Sequence, residues 1–195
     1  MSGQDYRFPL DEEIFFAINH WDWRPVELFW VALSSIWMAV IGLGLVACAL
    51  VWHSRFSAWR PLLALSFAIA ATDILGSQVL KPWFARIRPC FALPAESLRQ
   101  LVPIADSGAM PSLHAANAFA AAFALLCFFP KTAPLGLVAA SLIALSRIGA
   151  GVHWPSDVLA GAIYGACMGI FWAQVWGGRV WGRRSRGCSP RGTSV

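Results

Sequence analysis

From Phe29 to Trp52 the chain runs without one charged residue. That stretch constrains the fold more than any other feature. About 20 consecutive apolar residues suffice to cross the hydrocarbon core as a helix, and a water-soluble domain has no place for so long a run without a charge. The rest of the chain agrees with it. Of 195 residues, 58% are hydrophobic and only 13% are charged, where a soluble domain carries roughly 25%. Further apolar runs place membrane helices at about 61–80, 111–129, 133–148 and 155–177, beside the first at about 28–52. The expected fold is therefore all-α: a polytopic transmembrane bundle of about five spans. An N-terminal interfacial helix precedes it, because "DEEIFFAINHWDW" carries Trp21 and Trp23 at what reads as headgroup depth.

Three segments emerge from these runs. Residues 1–27 form the interfacial segment and 28–177 the membrane domain. Residues 178–195 form a basic tail, "GRVWGRRSRGCSPRGTSV", with the composition of a disordered segment. No cleavable signal peptide is expected. Asp5, Asp11, Glu12 and Glu13 precede the first apolar run, where a signal peptide carries a basic end. Of the five cysteines, Cys48, Cys90, Cys127, Cys167 and Cys188, no two form a CxxC pair. They suit neither a disulfide framework nor a zinc site.

Alternating the five spans across a bilayer sorts the charges. One side receives Arg55, Arg60, Lys131, Arg179, Arg183, Arg184, Arg186 and Arg191, and no acid. Cytoplasmic loops are enriched in Lys and Arg, so this side is expected to be cytoplasmic. The net charge of +5 then reads as a topology signal, with anionic lipid as a further contact, and requires no nucleic acid.

The opposite, outward side collects residues that can do chemistry. Lys81 and Arg88 flank "KPWFARIRP", Ser112 and His114 lie in "PSLH", and Arg147, His153 and Asp157 fall within "SRIGAGVHWPSD". Lys and Arg side chains without acids beside them match phosphate oxygens. Pro111 suits a first helical turn, and the free N–H groups near Ser112, Leu113 and His114 would face an anion. With Asp157 four residues after His153, the carboxylate can take the Nδ1 proton and leave Nε2 bare to attack phosphorus. His114 is placed to protonate the leaving oxygen. The set needs no metal and no cofactor. Each cation alone would read as a snorkelling interfacial residue; all three beside two histidines read as a site.

These three blocks resemble the type 2 phosphatidic acid phosphatase superfamily, which includes the vanadium haloperoxidases. The family pattern is Lys, six residues, Arg-Pro; then Pro-Ser-Gly-His; then Ser-Arg, five residues, His, three residues, Asp. The resemblance implies a helical bundle and a phosphohistidine intermediate. It makes His153 the nucleophile, Asp157 its orienter and His114 the acid, with Lys81, Arg88, Ser112, Leu113 and Arg147 around the phosphate. Leu113 stands where the family has Gly. If that position needs a positive φ, Leu would be strained there.

The expectation is an integral membrane lipid phosphatase acting on a lipid phosphate or diphosphate at the outer face of a bacterial inner membrane. Undecaprenyl diphosphate is the first choice of substrate. Phosphatidylglycerophosphate, phosphatidic acid and lipid A are alternatives, as are a lipid phosphotransferase and a non-catalytic anionic-lipid binding or transport protein. Three further readings attach to single features. Asp73, inside the second span, is expected to sit in a polar network. Gly161, Gly165 and Gly169 are expected to let helices pack closely. The 82–110 loop is expected to cap the site.

Overall fold

A computed structural model describes residues 8–54, 57–103 and 107–179. Most of the 178–195 tail and Arg55 lie outside these residues. Every regular segment described is helical, and the long helices are α1 Pro9–Asn19, α2 Arg24–Ser34, α3 Ile36–Ser54, α4 Trp59–Phe84, α5 Leu113–Phe128, α6 Ala133–Gly149 and α7 Pro155–Val175. The helices α4, α6 together with the 3-10 turn Pro130–Thr132 that leads into it, and α7 are each long and apolar enough to cross a membrane. The helix α5 is equally apolar but shorter.

The first expected span is not one helix. It breaks at Ser35, whose backbone is extended, and α2 and α3 meet at 63°. Together they have the length and composition of a fourth span. The break coincides with contacts to a distant helix, α6. The Ser34 carbonyl, which a continuous helix would use internally, faces the Arg147 guanidinium at 3.4 Å. The Ser34 hydroxyl meets that of Ser146 at 3.0 Å.

At the centre, α5 packs most extensively on α7, with α4 and α6 on its flanks. Small residues make this contact close. Gly161, Gly165 and Gly169 recur at a spacing of four along one face of α7. A Cβ at each would run into the backbone of Ser112, Ala116 and Ala120 respectively. The buried residues of α5 are all small, mostly alanine. Lipid tails are as apolar as Leu, so van der Waals fit between backbones holds such helices together. The glycine stripe thus faces α5 inside the bundle.

Helix α4 buries Pro61, Leu65, Ala68 and Thr72 along one stripe. It then passes through a π-helical turn, Gly76–Leu80, before its last turn at Lys81–Phe84. A π turn inserts a residue into the helical phase and re-aims the side chains beyond it, a common device at functional sites. The first side chain beyond this one is Lys81. Ala85 ends the helix in the left-handed conformation (φ 44°) and donates its N–H to the Lys81 carbonyl at 2.9 Å. That conformation closes a helix end by satisfying a last-turn carbonyl.

Candidate functional site

The helix ends that carry the three sequence blocks lie together at one end of the bundle. At the other end, Arg60, Phe128, Phe129 and Gly177 gather around a cavity, so the segments expected to share the basic side do lie together, although among the described residues three or four helices rather than five are candidate spans. Lys81, Arg88, Ser112, Arg147, His153 and Asp157 are all buried, while Leu113 and His114 are half-buried.

Arg88 is the hub. Its Nε donates to the Ser107 carbonyl (2.9 Å), and its Nη1 reaches the Val152 carbonyl (3.0 Å) and His153 Nε2 (3.1 Å). Its Nη2 donates to Ser107 Oγ at 3.2 Å, where Lys81 Nζ also donates, at 3.2 Å. A guanidinium can only donate. His153 Nε2 therefore accepts from Arg88, and the single proton of a neutral ring sits on Nδ1. Nδ1 faces Asp157 Oδ2 at 3.6 Å, longer than a hydrogen bond, and has no other partner. Burial, followed by the fields of Arg88, Arg147, Lys81 and His114, holds the His153 pKa well below the ordinary 6.5. The ring is thus neutral in the resting site, with its Nε2 lone pair aimed among cations.

The other donors surround it. Arg147 touches the Ser34 carbonyl through Nη1, and its buried Nε has no partner. The Ser112 hydroxyl is fully buried and also unpartnered. Ser112 precedes the first turn of α5, whose N–H groups have no intrahelical acceptors. Its own N–H donates to the Asp157 carbonyl at 3.0 Å, which ties the start of α5 to α7. Among the described residues no carboxylate pairs with Lys81, Arg88 or Arg147. Three buried cations, an orphan hydroxyl and free helix N–H groups need an anion to balance them. A phosphoryl group fits that description. The His114 ring faces the backbone of Ser34, on the side where α2 breaks.

Leu113 is not strained. Among the described non-glycine residues only Ala85 has a positive φ. The bulk of Leu113 is absorbed by Gly76 in the π turn of α4, where a Cβ would run into Leu113 Cδ2. Asp73 lies on the exposed side of α4 and accepts a hydrogen bond from Asn117 Nδ2 at 3.2 Å; the buried Thr72 hydroxyl beside it has no partner, so the polar network expected inside the bundle is not formed. From the 82–110 segment, Ser107 and Gly108 supply the acceptors that hold Arg88.

Sequence reasoning missed Arg86 and Asp11. Arg86 is 2% exposed and binds Asp157 Oδ1 and Asp11 Oδ2, both at 2.7 Å. Asp11, in a segment read as interfacial, is 5% exposed. A signal existed. Asp11, Phe15 and Asn19 succeed one another at helical spacing of four, and these three are the buried residues of α1.

Residues 61–181 match the profile of the PAP2 superfamily. The chain belongs to this superfamily. It is 31% identical over 149 residues to a protein of Bacillus licheniformis described as bacitracin transport permease protein BcrC, covering 76% of this chain and 69% of that one. It is 30% identical over 175 residues to an undecaprenyl-diphosphatase of Sulfolobus acidocaldarius, covering 89% and 82%. The crystal structure of Aquifex aeolicus LpxE superposes with a TM-score of 0.67 at 25% identity, over 86% of this chain and 96% of that one. A PAP2-type phosphatidylglycerolphosphate phosphatase from Bacillus subtilis shares the fold, with a TM-score of 0.64. This PAP2 protein is therefore an integral membrane phosphatase of the lipid phosphate class.

Proposed function

We propose that this PAP2 protein removes the terminal phosphate of undecaprenyl diphosphate at the outer face of a bacterial inner membrane, through a phosphohistidine on His153. The observation that carries the mechanism is the contact between Arg88 Nη1 and His153 Nε2. It fixes the tautomer a nucleophile needs and places its lone pair where the cations converge. The incoming phosphate offers Arg88 a better acceptor, and Nε2 is freed. Nε2 then forms the N–P bond as the bond from phosphorus to the leaving oxygen breaks, and His114 delivers a proton to that oxygen. Lys81, Arg88, Arg147 and the N–H groups opening α5 hold the charge that builds on the equatorial oxygens. In the second half, water attacks phosphorus and gives its proton to His114. Nε2 departs, and orthophosphate is released.

The choice of lipid rests on the undecaprenyl-diphosphatase relative, to which the chain is similar over most of both lengths. A lipid A phosphatase is the second reading, favoured by a lipid A 4'-phosphatase of Bacteroides thetaiotaomicron that is 33% identical over 118 residues. The test is phosphate release by the purified protein from a panel: undecaprenyl diphosphate, lipid A, phosphatidylglycerophosphate and phosphatidic acid. We expect the highest kcat/KM on undecaprenyl diphosphate. We also expect His153→Ala to lose at least about 1,000-fold, as removal of an activated nucleophile does elsewhere. A stronger preference for lipid A replaces the substrate assignment. Undiminished release by His153→Ala eliminates the nucleophile.

A further inference from the structure

We propose that Arg86, anchored by Asp11 of α1, is a positioning residue for the His153–Asp157 pair, so that the interfacial helix completes the reaction centre. This rests on the phosphohistidine reading of the site.

The two oxygens of Asp157 have different partners. Oδ1 accepts from Arg86 Nη1 at 2.7 Å. Oδ2 accepts the Trp154 N–H at 2.9 Å and faces His153 Nδ1. Asp157 is fully buried, so water cannot supply what Arg86 supplies. By holding Oδ1, Arg86 leaves only Oδ2 for the imidazole and balances the carboxylate's charge.

Arg86 is itself fixed. Its Nη2 donates to Asp11 Oδ2 at 2.7 Å, and its guanidinium carbon lies 5.7 Å from the Trp154 ring centroid. A planar fork gripping two carboxylates has one orientation, which a lysine cannot reproduce. Asp11 has a second task. Its Oδ1 accepts the Ser156 N–H at 2.8 Å and its Oδ2 the Ser156 hydroxyl at 2.6 Å. A side chain from α1 thereby satisfies a first-turn N–H of α7, the helix that carries Asp157.

The rest of the α1 stripe grips the same loop. Phe15 packs on Trp154 with centroids 5.3 Å apart. Asn19 donates to the Gly149 carbonyl at 3.1 Å and the Arg99 carbonyl at 2.8 Å, and accepts the Arg99 N–H at 2.8 Å. Gly151 adopts φ +78° beside Arg99, where a Cβ would run into the Arg99 carbonyl. The backbone that presents His153 is thus clamped by α1 before and after the histidine. The other side of α1 exposes Leu10 and Ile14, a surface suited to lipid.

The groups acting on Asp157 are Arg86 from the connection after α4, Asp11 from α1 and the neighbouring His153; Lys81 of α4 and Arg88 act from farther away. A carboxylate deprived of its cation holds a proton to higher pH. Removing a competing anion does the reverse. A merely structural role for Arg86 and Asp11 would move neither.

The test measures kcat, KM and the acid limb of the kcat/KM profile for four full-length variants in detergent micelles. The substrate is the panel lipid that the wild type turns over fastest. Arg86→Gln is expected to lower kcat about tenfold to a hundredfold, the range for a group one bond behind a reacting one, with KM little changed. Its acid limb should move up by about one pH unit or more. Arg86→Lys should restore the limb but only part of kcat. Asp11→Asn, which keeps an acceptor for the Ser156 N–H, should move the limb down. An unshifted limb in Arg86→Gln overturns the proposal whatever its kcat; if that variant does not fold, an unshifted or upward limb in Asp11→Asn, or an upward one in Arg86→Lys, overturns it. His153→Ala separates the two readings. If it is inactive and the limbs do not respond, the positioning role alone fails. If it is active, or the wild type turns over no panel lipid, both fail.

Discussion

As the proposed nucleophile, His153 has to meet two requirements that usually conflict: it must be basic enough to attack and yet unprotonated at rest. Burial and the fields of Arg88, Arg147, Lys81 and His114 keep it neutral, and in the proposed reaction bound phosphate would supply the counter-charge that restores its basicity. The same depression has a consequence for stability. The unfolded chain takes a proton on this histidine below about pH 6.5, and the folded protein does so only at much lower pH. Protons therefore favour the unfolded state in that window, and stability falls as pH drops below about 6.5. Thermal denaturation of the detergent-solubilised protein at pH 7.5 and pH 5 should show this fall. His153→Gln should reduce the fall by at most about 2 kcal/mol at pH 5, since each unit below the unfolded pKa is worth about 1.4 kcal/mol. An equal fall in both proteins would mean that the ring is already charged in the fold. Leu113 shows how a departure from a family pattern is absorbed. The side chain that replaces a glycine fills the space left by another glycine, Gly76.

At the scale of elements, the site is built from helix ends, and each end is shaped by what it must present. A π turn re-aims α4 so that Lys81 points inward, the start of α5 offers its free N–H groups, and α2 stops at Ser34 so that its carbonyl can meet Arg147. The pairing of α5 with α7 sets the distance between the Ser112 end and the Asp157 end. Gly165 is the tightest point, where a Cβ would strike the Ala116 carbonyl. Gly165→Leu should push the helices apart and destabilise the protein by at least roughly 1–3 kcal/mol, the usual range for overpacking. The exposed Ile163, two residues earlier, should accept Leu with little change. Comparing the two by thermal denaturation and phosphate release tests the contact. Equal behaviour would remove the glycine stripe from the account.

At the scale of the whole molecule, large apolar side chains lie outside and small ones inside. Trp37, Trp52, Trp83, Leu45 and Leu135 are each more than 60% exposed. The most deeply buried apolar positions are largely alanine. In water such a surface would aggregate; in a bilayer it is the solvated face. The two ends differ chemically. One holds the site and α1, the other the turns bearing Arg60 and Lys131. The charge bias predicts that the site end faces outward. In a cysteine-free background, a membrane-impermeant maleimide added to intact cells should label Ser97→Cys, in the site-end connection. It should label Lys131→Cys only after the membrane is opened. The reverse pattern would turn the molecule over and place phosphate release in the cytoplasm.

The membrane setting, most of the helices and the candidate site residues were legible in the sequence. Hydropathy, helical periodicity and charge bias are local properties, written in neighbouring residues. Three short blocks sufficed to name Lys81, Arg88, Ser112, His114, Arg147, His153 and Asp157, and four-residue spacing sufficed for the glycine stripe. Tertiary contacts alone fix which ring nitrogen of His153 carries the proton, where the first span breaks, and that Asp11 reaches Arg86 and Ser156. Each depends on partners far apart in the chain: Arg88 and His153 are separated by 65 positions, Arg147 and Ser34 by 113, and Asp11 and Ser156 by 145. A buried hydrogen bond forms when folding brings a donor and an acceptor together out of water, and no local pattern records which pairs will meet.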